Sequence, residues 1–333
     1  MEKAVLFKKL KNKEVKCLAC SHYCRIGENN KGICGVRKNI GGILYLMVYG
    51  KPYSLGIDPI EKKPLFNFLP GSKILSFGTV GCNLQCEFCQ NFSMSQEREE
   101  YGENEMTPKQ IVDLALKNKT QSIAFTYNEP TVFIEYCYDV AKLAHKNKLK
   151  TVFVSNGYES KESLTYISKY LDAINIDLKS FNEKFYLATC KARLQPVLET
   201  IKLAHKLKIW VEITTLVIPG KNDSDEELKK IAEFIASVDK SIPWHIIAFH
   251  PDYKMVDSHA TTSKELLRAY KIGKEAGLKY VYTGNIELSS YETTYCPKCN
   301  KELIEREGMK VISNKMDVDK CPYCNERVDG IWK

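Results

Sequence analysis

The fold of this 333-residue chain is decided by one stretch, Gly78-Thr79-Val80-Gly81-Cys82-Asn83-Leu84-Gln85-Cys86-Glu87-Phe88-Cys89-Gln90-Asn91. It sets Cys82, Cys86 and Cys89 at C-x3-C-x2-C spacing, directly after an apolar, strand-like run over 74–77. A structural zinc site normally takes four protein ligands, and the sequence offers no fourth cysteine or histidine close by. Three thiolates suit a 4Fe–4S cluster that leaves one iron open to another ligand. Phe88 would place an apolar ring beside such a cluster.

This stretch resembles the cluster loop of radical S-adenosylmethionine (SAM) enzymes. The resemblance implies two cofactors, a 4Fe–4S cluster and SAM, whose amino and carboxylate groups chelate the open iron. One-electron reduction then cleaves the C5′–S bond of SAM to methionine and a 5′-deoxyadenosyl radical, which abstracts a substrate hydrogen atom. The alternative interpretation is a buried or zinc-binding cysteine cluster.

Composition is typical of a globular protein, with 44% hydrophobic and 27% charged residues. No apolar run reaches the length of a membrane span, and the first residues lack the apolar region of a signal peptide. We therefore expect a cytoplasmic protein without a membrane partner. Thiols stay reduced there, so the paired cysteines indicate metal ligands rather than disulfides.

The net charge of +8 comes mainly from lysines that are spread through the predicted helices. This distribution is typical of a solvated surface and lacks the long basic tract of a nucleic-acid footprint. An RNA or an acidic protein remains open as a substrate.

A cysteine-rich module is predicted over residues 1–71. Its four cysteines lie within 18 residues of one another, separated by turn-forming glycine and asparagine, which favours a compact metal-bound knuckle. The sequence leaves two possibilities open for this module, zinc or an auxiliary iron–sulfur cluster. The four cysteines are Cys17, Cys20, Cys24 and Cys34.

From 72 to 290, short apolar runs alternate with amphipathic helices at a period near thirty residues. This pattern predicts a parallel sheet with right-handed crossovers. Six or seven units are too few for a closed eightfold barrel, so the predicted fold is α/β, a partial (β/α)6-type barrel. The strands are predicted at 74–79, 121–126, 151–155, 173–177, 209–218 and 244–249, with a seventh at 279–283.

The last predicted module, residues 291–333, carries two C-P-x-C knuckles, each followed by an asparagine. Asparagine tolerates the left-handed turn that a knuckle needs. The spacing indicates a zinc ribbon or a rubredoxin-like iron site, and structural zinc is the favoured metal. The ligands would be Cys296, Cys299, Cys321 and Cys324.

Polar motifs stand at the predicted carboxyl ends of six successive strands, where the loops of a parallel barrel converge. Each motif alone is weak evidence for a functional site. Six motifs that all fall at the carboxyl ends of successive strands predict one shared active site. After the cysteine loop, the motifs are 126–130, 155–157, 175–179, 217–220 and 248–251.

In this order the motifs resemble radical SAM enzymes of the pyruvate formate-lyase activating type. That resemblance implies that Asn128 and Glu129 hold the methionine amino group of SAM. It also implies that Ser155 and Asn156 lie near the ribose and methionine end of the cofactor.

By the same resemblance, Asp177, Lys179 and His250 line the SAM and substrate pocket as catalytic residues. One position departs from the family pattern. Activating enzymes carry an aspartate that contributes to a cation site, and this chain has Val154 there. The departure puts the cation site, and with it a glycyl-radical activase role, in question.

The two outer modules together with the barrel look like the AmmeMemoRadiSam system radical SAM enzyme. The expected function is therefore hydrogen abstraction from a protein, peptide or small molecule, in the manner of a glycyl-radical activase. The family implies an electron donor such as a ferredoxin or flavodoxin. Two alternatives stay open, a radical SAM enzyme that modifies RNA and a non-enzymatic metal-binding scaffold.

Overall fold

The computed structural model describes residues 1–99, 101, 105–286 and 288–333. The N-terminal part folds into two small antiparallel sheets, one of strand order β1-β6-β5 and the other β2-β3-β4. The strands are β1 (Glu2–Lys3), β2 (Phe7–Lys9), β3 (Val15–Cys17), β4 (Arg25–Ile26), β5 (Arg37–Ile40) and β6 (Ile43–Leu46).

A large sheet forms the centre of the molecule. Within the described residues it holds eight strands, in the spatial order β14-β13-β12-β11-β10-β9-β8-β7. Its strands are β7 (Ser54–Pro59), β8 (Lys73–Gly78), β9 (Ser122–Phe125), β10 (Lys150–Ser155), β11 (Ala173–Asp177), β12 (Trp210–Val217), β13 (Trp244–Ala248) and β14 (Val281–Gly284).

The strands from β8 to β14 pair in parallel with their sequence neighbours, as expected for consecutive β-α units. They are buried on both faces, which explains why each appears in the sequence as a short apolar run. The partial barrel and all seven of its predicted strands are therefore confirmed. Strand β7 was not predicted; it pairs antiparallel with β8 and forms an edge of the sheet.

Amphipathic helices cover this sheet and begin at recognisable caps. Thr107 and Gln110 form a capping box at the start of α2. At α7 the Ser224 side chain accepts from the Glu227 N–H, but the Glu227 carboxylate accepts hydrogen bonds from Ser180 and Phe181 instead of completing the box. The helices are α1 (Phe92–Ser95), α2 (Pro108–Lys117), α3 (Ile134–Lys146), α4 (Lys161–Ile167), α5 (Glu183–Phe185), α6 (Leu194–Lys206), α7 (Asp225–Val238) and α8 (Ser263–Glu275).

The C-terminal tail forms a third small antiparallel sheet, with β15 (Thr294–Tyr295), β16 (Glu302–Glu307) and β17 (Lys310–Asn314). Its buried residues pack against Phe66, Tyr280 and Tyr282 of the central part. None of the described helices is long and apolar enough to cross a membrane.

Candidate active site and metal centres

A cavity of about 520 Å³ runs along the carboxyl ends of the central strands. The first four strand-end motifs contribute to its wall, as parallel-barrel geometry predicts. The fifth and sixth motifs, at 217–220 and 248–251, are not among the described residues that line it. The sequence-predicted residues in the wall are Cys82, Cys86, Phe88, Cys89, Asn128, Ser155, Asn156, Asp177 and Lys179, together with Val154.

The three cysteines of the opening stretch face this cavity together. Cys82 and Cys86 are buried, and Cys89 is half-buried. Burial raises the pKa of the Cys82 and Cys89 thiols, and a hydrogen bond with buried Cys190, followed by burial, raises that of Cys86. Thiolates here therefore need a compensating cation, and an iron–sulfur cluster supplies one. The donor set fits a cluster bound through three irons.

Backbone and amide groups hold the cysteine loop in place. The amide nitrogen of Asn156 lies 3.7 Å from the Cys82 sulfur and donates to Asn83 Oδ1 at 2.8 Å. The backbone N–H of Leu84 lies 3.5 Å from the same sulfur. Hydrogen bonds to ligating sulfurs tune the reduction potential of such clusters.

Part of the motif at 126–130 lines the cavity, and part of it lies buried behind the cavity wall. Asn128 lines the cavity and donates to the carbonyl of Gly81 at 2.7 Å, so it braces the cysteine loop. Tyr127 also lines the cavity and has a φ of 71°, a strained left-handed conformation for an aromatic residue. The structure does not bring the Glu129 carboxylate to the cavity.

Glu129 instead lies fully buried behind Ser155 and Asn156. Its carboxyl group accepts from the backbone N–H of Asn156 at 2.8 Å and of Thr131 at 3.0 Å. Burial, and then neighbouring Glu159, raise the pKa of Glu129 well above its usual value. Ser155 donates to Glu159 at 2.6 Å. The arrangement makes Glu129 a buried support for the loop that carries Ser155 and Asn156.

Asp177 and Lys179 form an ion pair at the cavity, with 2.7 Å between the ammonium nitrogen and a carboxylate oxygen. Burial opposes the charge of Lys179, but Asp177 and the thiols of Cys86 and Cys190 outweigh it and raise the pKa of the ammonium well above its usual value. The same ammonium lies 5.6 Å from the centre of the Phe88 ring. A fixed positive charge therefore stands beside the cysteine loop.

His250 does not reach the cavity. Strand β13 ends at Ala248, Phe249 turns inward, and His250 is exposed, with Nδ1 hydrogen-bonded to the carbonyl of Pro251. The histidine that lines the cavity is His245, near the start of the same strand. Its Nε2 lies 2.6 Å from the buried carboxylate of Glu212 on β12. The sequence analysis does not predict this pair. The sequence indicates it only by placing a titratable residue inside each of two mainly apolar strands.

The tail supplies one wall of the cavity. Gly308 and Met309, at the turn between β16 and β17, line it. Fully buried Arg306 lies 3.5 Å from the Glu61 carboxylate and donates to the Phe66 carbonyl at 2.8 Å. The tail is thus joined to the cavity by a buried ion pair as well as by apolar packing.

The four N-terminal cysteines line one small pocket beside the central sheet. Burial is the largest cause that raises the pKa of each thiol, and neighbouring cysteines add to it. The pocket also contains Arg37, whose buried guanidinium lowers the pKa of Cys17 and Cys34. Arg37 forms a bidentate ion pair with Glu135 on α3.

The N-terminal pocket is hydrogen-bonded to the cysteine loop of the cavity. His22 donates through Nε2 to the carbonyl of Asn83 at 2.8 Å. Arg98 donates to the carbonyls of Ile33 and Cys82, at 2.7 and 3.0 Å. The two cysteine loops are therefore held as neighbours.

The tail cysteines form a tighter group. All four ligand sulfurs lie within 4.8 Å of one another, with 3.6 Å between Cys296 and Cys324 and 3.7 Å between Cys299 and Cys321. Four sulfurs bound to one tetrahedral zinc ion stand about 3.8 Å apart. Among the described residues, neither the N-terminal cysteines nor those of the cavity form such a group. The tail therefore fits a single metal ion.

We expect Cys299→Ser to lower the zinc content by about one ion per chain and to make residues 291–333 sensitive to protease. The reason is that metal binding supplies about 10 kcal/mol to the folding of small zinc modules. Metal analysis and limited proteolysis measure both effects. Lys298→Ala, a change at an exposed neighbouring position, is the control. A tail that stays protease-resistant without zinc would contradict the prediction.

Comparison with known proteins agrees with this geometry. A family model described as the radical SAM superfamily matches residues 77–235. The uncharacterized protein MJ0808 of Methanocaldococcus jannaschii is 43% identical over 333 residues, which cover 99% of each chain. A pyruvate formate-lyase-activating enzyme of Clostridium pasteurianum is 22% identical over 62% of this chain and 92% of its own.

Among solved structures, a radical SAM methyltransferase from Sphaerobacter thermophilus matches with a TM-score of 0.50 and 14% sequence identity. The match covers 66% of this chain and 68% of that one, and it supports the fold alone. The cysteine loop, the partial barrel around it and the family match lead to one conclusion: the chain carries a radical SAM domain over residues 77–235 and is an enzyme of the radical SAM type.

Proposed function

We propose that this enzyme reductively cleaves SAM at a 4Fe–4S cluster held by Cys82, Cys86 and Cys89. The radical so formed takes a hydrogen atom from a protein, peptide or small-molecule substrate, in the manner of a glycyl-radical activase. The observation that carries the proposal is the convergence of three cysteines and the Asp177–Lys179 pair on one cavity. An electron donor such as a ferredoxin or flavodoxin, and membership of the AmmeMemoRadiSam group, belong to the same proposal.

The chain's own residues have separate tasks in this scheme. When bound, the cluster supplies the electron that breaks the C5′–S bond of SAM. Ser155 and Asn156 line the cavity next to the cysteine loop, where their polar groups can orient the amino-acid end of SAM. The Lys179 ammonium is placed to offset a carboxylate. The apolar side chains of Phe88 and Leu84 exclude water from the same region.

The proposal is tested by incubating anaerobic, reduced protein with SAM and a deuterium-labelled extract of cells that carry this gene. We expect 5′-deoxyadenosine to form and to carry deuterium taken from one component of the extract. Mass spectrometry measures both the amount formed and its label. Protein with a full cluster that leaves SAM intact would overturn the proposal.

We further propose that the N-terminal cysteines bind an iron–sulfur cluster rather than zinc. Each cysteine of a 4Fe–4S cluster binds a different iron, so the sulfurs stand farther apart than around a single zinc ion. Among the described residues, the N-terminal cysteines do not form a group whose sulfurs all lie within 4.8 Å of one another. This agrees with the wider spacing that a cluster needs. The buried guanidinium of Arg37 would offset part of the cluster's negative charge.

Anaerobically reconstituted protein is therefore expected to contain about eight iron atoms and one zinc ion per chain. Replacing Cys17, Cys20, Cys24 and Cys34 by serine should lower iron to about four atoms and leave zinc unchanged. Iron, sulfide and zinc analysis decides the matter. Wild-type protein with about four iron atoms and two zinc ions would show that this site binds zinc.

Val154 gives a prediction about monovalent cations. Its side chain lines the cavity and offers no oxygen, whereas hard cations need several oxygen ligands. We expect the rate of SAM cleavage to differ by less than about two-fold between sodium and potassium buffers of equal ionic strength. Val154→Asp, which restores a carboxylate, should introduce a dependence on the cation. A several-fold stimulation of the wild-type enzyme by one cation would contradict the prediction and would favour a glycyl-radical enzyme as the substrate over another protein, a peptide or a small molecule.

A further inference from the structure

Three residues that line the cavity each carry a buried polar side-chain atom with no hydrogen-bond partner among the described residues. The atoms are Glu61 Oε2, His245 Nδ1 and Thr283 Oγ1. Their side chains are almost wholly buried, with exposures of 3%, 0% and 1%. Buried polar groups in folded proteins are nearly always hydrogen-bonded, because leaving them unpaired costs stability. Three such residues around one cavity indicate a place where a bound ligand would supply the missing hydrogen-bond partners.

The tautomer of His245 follows from its partner. The Glu212 carboxylate accepts hydrogen bonds from the backbone N–H groups of Phe66 and Asn67 and from the Trp210 indole, at 2.9 to 3.0 Å. These three donors leave the carboxylate as the acceptor in its contact with His245, so Nε2 donates the fourth hydrogen bond. In the neutral imidazole, Nδ1 then carries a lone pair and is an acceptor. Glu212 is thus a positioning residue for His245.

The charge around these atoms is already balanced. Arg306 lies 3.5 Å from Glu61, and its other donors are occupied by the Phe66 carbonyl and Thr294. Burial raises the pKa of Glu61, and Arg306 opposes this shift. When Glu61 is ionised, Arg306 offsets its charge, so Oε2 is an acceptor oxygen without a net charge to attract a free cation. The ring of Phe66 stands edge-on to His245, with 4.8 Å between ring centres, and both residues line the cavity.

These residues lie away from the cysteine loop. His245 and Thr283 belong to β13 and β14 at one edge of the sheet, and the cysteine loop follows β8 near the other edge. One cavity joins the two ends.

We propose that the end of the cavity formed by Glu61, His245 and Thr283 is the substrate subsite. It takes an uncharged group that donates hydrogen bonds, a hydroxyl or an amide, on the molecule from which hydrogen is abstracted. This inference rests on the proposed function and adds a substrate class to it. His245 and Thr283 contact the substrate in this scheme, and Glu212 acts through His245.

Two substitutions remove the acceptors with little change in shape. Thr283→Val replaces an unpaired buried hydroxyl by a methyl group, so a purely structural residue would gain stability or stay unchanged. His245→Gln keeps a donor near the position of Nε2 for Glu212 and removes the Nδ1 acceptor. Ser122→Ala is the matched control, because Ser122 on β9 carries another buried, unpaired hydroxyl and is not among the residues that line the cavity.

The experiment measures the fraction of 5′-deoxyadenosine that carries deuterium when each variant turns over SAM with the labelled cell extract. We expect this fraction to fall about five-fold in Thr283→Val and at least ten-fold in His245→Gln, and to stay unchanged in Ser122→Ala. The midpoint of thermal unfolding of Thr283→Val should not be lower than that of the wild type.

An unchanged labelled fraction in Thr283→Val and His245→Gln would overturn the subsite while the proposed function stands. Wild-type protein that forms no labelled 5′-deoxyadenosine would overturn both. Identifying the molecule that gave its deuterium to 5′-deoxyadenosine also tests the assigned substrate class. A donor with no hydroxyl or amide near the abstracted hydrogen would overturn the assigned substrate class.

Discussion

Protein in which Cys82, Cys86 and Cys89 are all replaced by alanine is expected to lose SAM cleavage by more than about a thousand-fold. In the proposed function these cysteines would hold the cluster that supplies the electron for breaking the C5′–S bond of SAM. The described residues of the cavity form no other close group of metal ligands. The wild-type protein should show a reducible 4Fe–4S signal by electron paramagnetic resonance that shifts when SAM is added. The triple variant should lack this signal.

Two internal comparisons make that result specific. The zinc content of the triple variant should stay at the wild-type value, because the tail cysteines lie in a separate group. Cys137→Ala removes a buried thiol on α3 that does not line the cavity, and it should keep both the signal and SAM cleavage. A wild-type spectrum that is insensitive to SAM would contradict the radical SAM mechanism for this chain.

The second large effect is expected from Arg37→Met, which should lower the free energy of unfolding by about 3–5 kcal/mol. Arg37 and Glu135 form a buried pair with 2.5 Å between charged atoms, and both side chains are at most 4% exposed. Removing one partner leaves the other charge buried without compensation, which is the costly case for ion pairs. Arg37 also donates to the carbonyl of Val132 at 3.0 Å. Urea denaturation of the metal-loaded protein measures the change.

Arg25→Met is the matched control, because Arg25 pairs with Glu14 at the surface of the same module and is 70% exposed. Pairs of this kind contribute about 0–1 kcal/mol, so the control should unfold close to the wild type. The double variant Arg37→Met with Glu135→Leu should recover part of the loss, since it removes both charges. Equal destabilisation by Arg37→Met and Arg25→Met would show that burial of the first pair does not matter.

The strands of the barrel could be predicted from sequence because parallel strands covered on both faces appear as apolar runs. The same property hides which side chains point into the barrel. Alternation along an apolar strand does not show which face is the inner one, so His245 and Glu212 gave no predicted site. His250 was chosen from its motif, but β13 ends two residues earlier, where the Phe249 N–H is held by the Thr261 hydroxyl at 2.9 Å.

Contacts between distant parts of the chain were beyond prediction for a different reason. Gly81 shows this: a side chain there would lie 2.6 Å from the Cys34 carbonyl, so the glycine records a close approach of two loops. Its presence beside Cys82 indicates a turn, but nothing in the local sequence identifies the partner. Strand β7 is not apparent from the sequence, because Pro52 precedes it and Pro59 is its last residue, and prolines favour a connector over a strand.

The turn at Gly308 and Met309 gives the cavity one wall that does not come from the barrel. The cysteine loop belongs to the barrel, whereas this wall is a two-residue hairpin turn from the tail. Turns of this kind accept changes of sequence and length more readily than buried strands. This wall can therefore vary while the barrel strands and the subsite on them stay the same. Homologues with the same cysteine loop and a different hairpin should keep the barrel part of the cavity and differ in the shape of this wall.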